Sequence, residues 1–256
     1  MGQIYNPPAA FNLQLAQESA ALVKNAYLQL PQGANWRLNP GYDLLADLRA
    51  RPNGWFTKDE RFGFVARNQK SGAVFVTFRG TESAEDWLSN ITFPQVKHPW
   101  GMVEDGFSHL YDQCSASVKN AVAAANPAQL IVTGHSLGSA LATLAAADLV
   151  IANFTPAIYT FASPRTGNID FANKFDQSIN TKWRVANTED IVTTVPLATV
   201  ELASIRSTEL RMIIALATHL GNKLNFQHVG NPINFTSNNG TILANHQLDT
   251  YIAALA

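Results

Sequence analysis

Apolar residues recur along this chain at two spacings, which predict two kinds of secondary structure. In residues 11–30 and 107–125 they return every third or fourth position, as on the buried face of an amphipathic helix. Residues 62–67 and 73–78 are short apolar runs joined by Ser71-Gly72, which predicts a β-hairpin whose second strand is buried on both faces. Residues 157–162 and 183–187 predict two more strands, with a helix over residues 171–179 between them. This alternation predicts an α/β fold, with a mostly parallel central sheet and helices on both faces.

The strongest local pattern is a β-branched run, residues 130–133, that leads into Gly134-His135-Ser136-Leu137-Gly138 and then into a long Ala-rich stretch of helix formers. This order predicts a strand, a sharp turn and a helix, the context of a nucleophile elbow. Gly134 and Gly138 lack side chains, so the strand and helix backbones can approach each other. Ser136 then lies at a helix N-terminus, where N–H groups favour developing negative charge. The alternative is a glycine-rich turn with an inert serine.

Three polar residues follow the carboxyl ends of predicted strands: Thr81, Ser136 and Asp190. In an open α/β sheet, functional groups gather beyond those ends. A serine nucleophile needs a base that is itself oriented by a carboxylate, and elbow hydrolases carry them in the order serine, acid, histidine. That order admits Asp190 or Glu189 as the acid. Asp190 is preferred because one of two adjacent residues must face away and the shorter side chain suits a tight turn.

The same order leaves three histidines open as the base: His219, His228 and His246. Their spacing does not decide between them. His135 is next to the serine, but neighbouring residues on a strand point to opposite sides, so it is predicted to be a packed structural histidine.

Other segments have weaker patterns. Residues 83–90 predict a short helix with Trp87, Leu88 and Ile91 on one side, which fits either a lid over an apolar cleft or an ordinary surface helix. Residues 208–220 predict a helix, and residues 234–241 predict a turn-rich edge hairpin. Because we find no linker or repeat, we expect a single domain over residues 1–256.

Composition narrows the classes of partner. A net charge of −1 with 14% charged residues gives no electrostatic footprint for nucleic acid or an anionic membrane. The single cysteine, Cys114, excludes an internal disulfide and a Cys-based metal site, and its apolar helical face predicts a buried thiol. Asp148 interrupts the best apolar run, so no transmembrane span is predicted. The N-terminus lacks the pattern of an intact signal peptide, and we expect secretion if a leader was removed and a cytoplasmic location otherwise.

A series of short motifs occurs in order along the chain: Phe78-Arg79-Gly80-Thr81, Asp86-Trp87, Gly106-Phe107, Gly134-His135-Ser136-Leu137-Gly138, Phe161-Ala162-Ser163-Pro164-Arg165-Thr166-Gly167-Asn168, Asn187 with Asp190, and His246 with Tyr251. Together they resemble the class 3, filamentous-fungal-type lipases from about residue 62 to the C-terminus. The resemblance implies an α/β-hydrolase fold with Ser136 as nucleophile, Asp190 as acid and His246 as base, and a structural position for His228. It also implies an oxyanion hole formed by the N–H groups of Thr81 and Leu137, with the Thr81 hydroxyl.

By the same resemblance, residues 82–94 form a short helical lid, with Trp87, Leu88, Ile91 and Phe93 as substrate-binding or lid residues. Three departures from the family pattern stand out. Glu104 occupies a position where the family often has a histidine, and residues 197–225 carry no motif of the family, which suggests a second cap segment. Secreted members usually have disulfides, which this chain cannot form.

The expected activity is carboxylic ester hydrolysis through an acyl-enzyme, with acylglycerols at a lipid–water interface as substrates and with no metal or organic cofactor. A triacylglycerol lipase is the leading interpretation. A soluble carboxylesterase, a feruloyl-type esterase and a phospholipase A1 are alternatives, because the triad does not select the acyl or alcohol group. A non-catalytic binding module with an α/β-hydrolase fold is the remote alternative.

Overall fold

A computed structural model describes residues 2–28, 36–51, 60–81, 93–196 and 225–256. Its helices are α1 (Leu13–Tyr27), α2 (Asp105–Ala125), α3 (Leu137–Ile151), α4 (Ile169–Ser178), α5 (Ile242–His246) and α6 (Leu248–Ala254), with a 3₁₀ turn at Ile191–Thr194. Its strands are β1 (Tyr42–Ala50), β2 (Glu60–Asn68), β3 (Val74–Phe78), β4 (Gln95–His98), β5 (Gly101–Glu104), β6 (Leu130–His135), β7 (Ala157–Phe161), β8 (Gly167–Asn168), β9 (Lys182–Asn187), β10 (Phe226–Gln227) and β11 (Asn231–Phe235).

The central sheet has seven strands in the order β1-β2-β3-β6-β7-β9-β11. Strands β1, β2 and β3 pair antiparallel, and every pairing from β3 to β11 is parallel. The predicted hairpin is therefore β2–β3, in which Val65 lies opposite Val76. Helices cover both faces, and the predicted α/β-hydrolase architecture is confirmed.

Two apolar layers hold these helices to the sheet. One layer packs α2, α3 and α4 against side chains such as Val76 and Val132, and the other packs α1 and α6 against Phe75 and Ile131. All five residues of β3 are buried, as predicted for a strand that is covered on both faces. Because β3, β6 and β9 run parallel, their carboxyl ends lie at the same end of the central sheet.

The predicted edge hairpin at residues 234–241 is wrong. Residues 231–235 form β11, which pairs parallel with β9 over its whole length. Ile233 and Phe235 are buried and alternate with an exposed Asn234, so the strand buries one face only. After β11 the chain leads into the helix α5 (Ile242–His246) instead of forming a second hairpin strand.

A second, small antiparallel sheet has the order β10-β8-β5-β4. Its strands contain two to four residues each, too few to show a periodicity. The sheet stands beside the N-terminus of α2 and brings Phe93 against Phe226, whose ring centroids are 6.2 Å apart.

Candidate active site

The strand-to-helix turn at Ser136 has the strained geometry of a nucleophile elbow. Ser136 has φ 58° and ψ −131°, a conformation that residues other than glycine rarely adopt. A Cβ atom on Gly134 would lie 2.2 Å from the carbonyl oxygen of Gly138, and one on Gly138 would lie 2.5 Å from that of Arg79. Both positions therefore require glycine, since a side chain would force β6, α3 and the end of β3 apart.

Ser139 ties the two arms of this turn together from inside. Its hydroxyl lies 2.7 Å from the carbonyl oxygen of Gly134 and 2.8 Å from that of Phe161. The backbone N–H of Ser136 also donates to Phe161, at 3.0 Å. The strained serine is thus held by hydrogen bonds from both sides, which is how such a conformation persists.

Three residues that are far apart in sequence meet in one line of hydrogen bonds. Nε2 of His246 lies 2.8 Å from Oγ of Ser136, and Nδ1 lies 2.8 Å from Oδ2 of Asp190. A carboxylate only accepts hydrogen bonds, so Nδ1 carries the proton and the lone pair of Nε2 faces the serine hydroxyl. All three residues are at most 3% exposed. The pairing can therefore withdraw a proton from Ser136.

The carboxylate of Asp190 is held by two further donors. Its Oδ1 accepts the N–H of Val192 at 2.9 Å, as the cap of the 3₁₀ turn, and its Oδ2 accepts the hydroxyl of Tyr251 at 2.6 Å. Burial and the nearby Asp190 raise the pKa of Tyr251 well above its usual value, so the phenol stays a neutral donor. In the sequence, Tyr251 stands out only as part of a motif with His246, and its role as a donor to Asp190 is visible only in the fold.

Asn187, at the end of β9, joins the loop that carries Asp190 to the segment that carries His246. Its amide nitrogen donates to the carbonyl oxygens of Ser237, at 2.9 Å, and Asn245, at 3.1 Å. Its oxygen accepts the backbone N–H of Ser237 at 2.9 Å. One buried amide therefore sets the distance between the two loops.

Glu189 and His228, the described alternatives for the acid and the base, make other contacts than those of Asp190 and His246. Glu189 is exposed, with its carboxylate 3.5 Å from the amide of Asn238. His228 donates from Nε2 to the carbonyl oxygen of Thr193 at 2.7 Å, and burial, with the charges of Arg184 and Arg165, lowers its pKa to about 3. A neutral His228 thus supports the 3₁₀ turn that follows Asp190, through the backbone of Thr193. His219 lies outside the described residues.

Arg165 holds the same loop at its far end. Its Nη1 donates to the carbonyl oxygens of Thr194 and Pro196, the latter at 2.7 Å, and its backbone N–H donates to Val195 at 2.8 Å. A cation at the C-terminal end of the 3₁₀ turn satisfies carbonyl groups that the turn leaves free.

The residues predicted for the oxyanion hole lie on both sides of Ser136. Leu137 is the first residue of α3, a position whose N–H has no acceptor within the helix. Thr81 follows Gly80, and a Cβ atom on Gly80 would lie 2.8 Å from Cβ of Ser136. The backbone that leads to Thr81 therefore runs directly against the serine.

Trp87, Leu88 and Ile91 of the predicted lid lie outside the described residues, as do residues 197–224 of the predicted cap. Phe93 is described, and it is buried against Phe226 in an edge-to-face contact. The thiol of Cys114 is buried, as predicted, and lies 3.2 Å from the backbone oxygen of Arg49.

Within the described ranges we find no group of His, Cys, Asp and Glu side chains suited to a metal ion. The part of the chain that the structure covers likewise contains no helix that is long and apolar enough to cross a bilayer.

Glu104, which stands where the resemblance led us to expect a histidine, is a buried cap. It is 3% exposed, and its Oε2 accepts the N–H of Phe107 at 2.7 Å at the start of α2. Burial raises the pKa of this carboxyl group to about 7, although hydrogen bonds from Phe107 and Gly106 oppose the shift.

Replacing Glu104 by glutamine is expected to make the protein more stable above pH 7. An unfolded chain loses the proton near the ordinary glutamate value of 4.5 and the folded chain near 7, so the free energy of unfolding falls as pH rises through that window. The loss amounts to about 3 kcal/mol. The glutamine oxygen keeps the cap, and the difference between Glu104→Gln and wild type in urea unfolding should grow from pH 4.5 to above pH 7. A difference that stays constant with pH would contradict this account.

A serine, a histidine and an aspartate in hydrogen-bonded series, at the carboxyl edge of a mostly parallel sheet with helices on both faces, define the α/β-hydrolase class. Residues 75–200 match the family described as lipase (class 3). With the ordered motifs and the relatives below, this match assigns residues 75–200, just under half of the chain, to the class 3 lipase family.

Among its relatives, a secreted mono- and diacylglycerol lipase of Fusarium solani is 35% identical over 147 residues, which cover 55% of this chain and 44% of the relative. A chloroplastic phospholipase A1 of Arabidopsis thaliana is 29% identical over 197 residues, 63% of this chain and 44% of the relative. The chain thus spans less than half the length of these relatives. A Rhizomucor miehei lipase in complex with its propeptide superposes with a TM-score of 0.67 at 22% identity, over 92% of this chain and 70% of that one.

Proposed function

We propose that the protein is a carboxylic ester hydrolase that acts on acylglycerols, with Ser136, His246 and Asp190 as its catalytic triad. The observation that carries the proposal is the continuous line of two 2.8 Å contacts from Ser136 through His246 to Asp190. The relatives named as mono- and diacylglycerol lipases support the substrate class. Hydrolysis of this kind needs no metal, because the proton moves between side chains.

In the proposed reaction, Nε2 of His246 takes the proton of Ser136 while the serine oxygen attacks the ester carbonyl carbon. The negative charge on the carbonyl oxygen is stabilised by the N–H groups of Leu137 and Thr81, and one such donor is worth on the order of 3 kcal/mol. The imidazolium then protonates the departing alcohol. Water, deprotonated by the same histidine, then attacks the acyl carbon. The bond from this carbon to the serine oxygen breaks, the imidazolium returns its proton to that oxygen, and the carboxylic acid departs.

The surrounding segments would decide which esters enter. We propose that residues 82–94 act as a lid, with Trp87, Leu88, Ile91 and Phe93 on its apolar side, and that residues 197–225 form a second cap, all within one domain. The contact between Phe93 and Phe226 supports an anchored end of the lid, because it fixes the chain to the small sheet. A mobile apolar cover is the usual device for exposing a site at a lipid surface.

A phospholipase A1 is the second candidate, and the plant relative of that name is the observation that favours it. A soluble carboxylesterase and a feruloyl-type esterase use the same triad.

The experiment that tests the proposal is a substrate panel. Rates are measured for p-nitrophenyl esters from acetate to palmitate, for methyl ferulate and for emulsified triglyceride. Phosphatidylcholine is also tested, and release of its acyl chain from the first and from the second glycerol position is measured separately. A triglyceride rate that rises steeply once substrate exceeds its solubility supports a lipase. Saturation below that limit indicates a carboxylesterase, and a preference for phosphatidylcholine indicates a phospholipase. Failure to hydrolyse any ester would contradict the proposal and favour a binding module.

A further inference from the structure

A second series of hydrogen bonds lies next to the three residues of the proposed triad. The backbone N–H of Gly80 donates to the hydroxyl oxygen of Tyr27 at 2.9 Å, and this hydroxyl lies 2.8 Å from Nδ1 of His135. Nε2 of His135 lies 2.9 Å from the backbone oxygen of His246. We call this series, from Gly80 through Tyr27 and His135 to His246, the relay.

The direction of each bond in the relay follows from its ends. A carbonyl oxygen only accepts, so Nε2 of His135 must carry a proton. Burial, and then the neighbouring His246, lower the pKa of His135 well below its usual value, so the ring is neutral and Nδ1 is an acceptor. The hydroxyl of Tyr27 therefore donates to His135, and its free lone pairs accept the N–H of Gly80. Each donor in the series has one acceptor.

Ring contacts hold the relay in place. The rings of Tyr27 and His135 meet nearly edge to face, with centroids 5.8 Å apart, and the rings of His135 and His246 are 4.8 Å apart. Tyr27 is the last residue of α1, which packs on the sheet through an apolar face that includes Ala20, Val23 and the ring of Tyr27. Loss of the Tyr27 hydroxyl would thus remove hydrogen bonds and leave the packing of α1 intact.

The relay contacts the segments that carry the reacting groups of the proposed reaction. At one end is Gly80, which packs against Ser136 and precedes Thr81. In the middle is His135, the residue before Ser136, and at the other end is the backbone of His246. We propose that Tyr27 and His135 are positioning residues that align the amide of Thr81 and the imidazole of His246 with the oxygen of Ser136. This inference rests on the function proposed above.

The test compares Tyr27→Phe with Tyr42→Phe. Tyr42 is the matched control because its hydroxyl also bonds α1, through Glu18, and accepts from Asn68, both away from the site. We expect Tyr27→Phe to lower kcat for p-nitrophenyl butyrate about 10- to 100-fold with KM within about twofold, since misplacement rather than loss of reacting groups costs on that order. Tyr42→Phe should lower the melting temperature and leave kcat within about twofold.

A double variant tests whether Tyr27 and His135 act together. His135→Leu removes the middle of the relay, and Tyr27→Phe with His135→Leu should reduce kcat no further than the worse single change, because residues in one network are not additive. Full multiplication of the two losses would overturn the relay.

Nitrogen-15 NMR of the histidine rings in the wild-type protein reads the relay without any substrate or variant. His135 should give one slowly exchanging Nε2–H and an unprotonated, hydrogen-bonded Nδ1. A ring protonated at Nδ1, or at both nitrogens, would overturn the relay even if every variant failed to fold.

The outcomes separate the relay from the proposed function. If wild type hydrolyses esters and Tyr27→Phe keeps its kcat, or Tyr42→Phe loses as much, the positioning role is wrong and the function stands. If wild type hydrolyses nothing, the function fails and the positioning role falls with it, while the NMR result still decides the hydrogen bonds.

Discussion

Replacing Ser136 by alanine is expected to lower kcat/KM for ester hydrolysis on the order of 10⁶-fold, as removal of the triad nucleophile does in serine hydrolases. The change deletes the only hydroxyl that faces Nε2 of His246 in the described site. Alanine still fits the elbow, because the side chain shrinks. The fold should therefore be kept, and the measurement is the hydrolysis of p-nitrophenyl butyrate together with labelling by a fluorophosphonate.

Ser139→Ala is the matched control for that experiment, three residues further along. Its hydroxyl bonds only the carbonyl oxygens of Gly134 and Phe161, so its loss should cost about 1 kcal/mol of stability. This variant should still take up the fluorophosphonate. Labelling of Ser136→Ala, or a rate near that of wild type, would rule out Ser136 as the nucleophile.

Replacing Asp190 by asparagine is expected to reduce kcat by about 10⁴-fold, the cost of holding the histidine in the wrong tautomer. The N–H of Val192 requires an oxygen at the position of Oδ1, so the amide nitrogen must take the position of Oδ2. There it faces Nδ1 of His246, which must then accept, and the proton moves to Nε2. A histidine protonated at Nε2 has no lone pair for Ser136. Steady-state kinetics give kcat, and ring NMR identifies the tautomer.

Glu189→Gln is the control for Asp190→Asn. The two residues are neighbours, but the carboxylate of Glu189 is exposed near Asn238. This change should leave kcat within about twofold, as surface substitutions usually do. A larger loss in Glu189→Gln than in Asp190→Asn would reverse the assignment of the acid.

Much of the fold follows from local pattern. The apolar run of β3 and the β6-elbow-α3 passage predict their structures because each residue is constrained by burial or by backbone conformation. β1 was missed because two irregularities in its pairing with β2, between Leu44 and Ala46 and between Leu48 and Arg49, break the alternation of side chains. β11 was misread because an edge strand with one polar face looks like a turn-rich segment.

The residues of the proposed site also differ in how far the sequence predicts them. The sequence alone predicts Ser136, since glycines two residues before and after it are a local requirement of the turn. The base is different, because His228 and His246 both follow the acid and their spacing does not decide between them. The family resemblance names His246, and the contact between residues 56 positions apart shows where it lies. The relay was missed entirely, because Tyr27 and His135 are 108 residues apart and no spacing rule connects them.

The central claim is that Ser136, Asp190 and His246 converge on one ester carbonyl, with Thr81 and Leu137 on its oxygen. A crystal structure of the protein inactivated by a p-nitrophenyl alkylphosphonate tests it directly, because the adduct imitates the tetrahedral intermediate. We predict a bond from phosphorus to Oγ of Ser136, a phosphonyl oxygen within hydrogen-bonding distance of the N–H groups of Thr81 and Leu137, and His246 still paired with Asp190. A phosphorus bonded elsewhere, or a phosphonyl oxygen turned away from both amides, would contradict it.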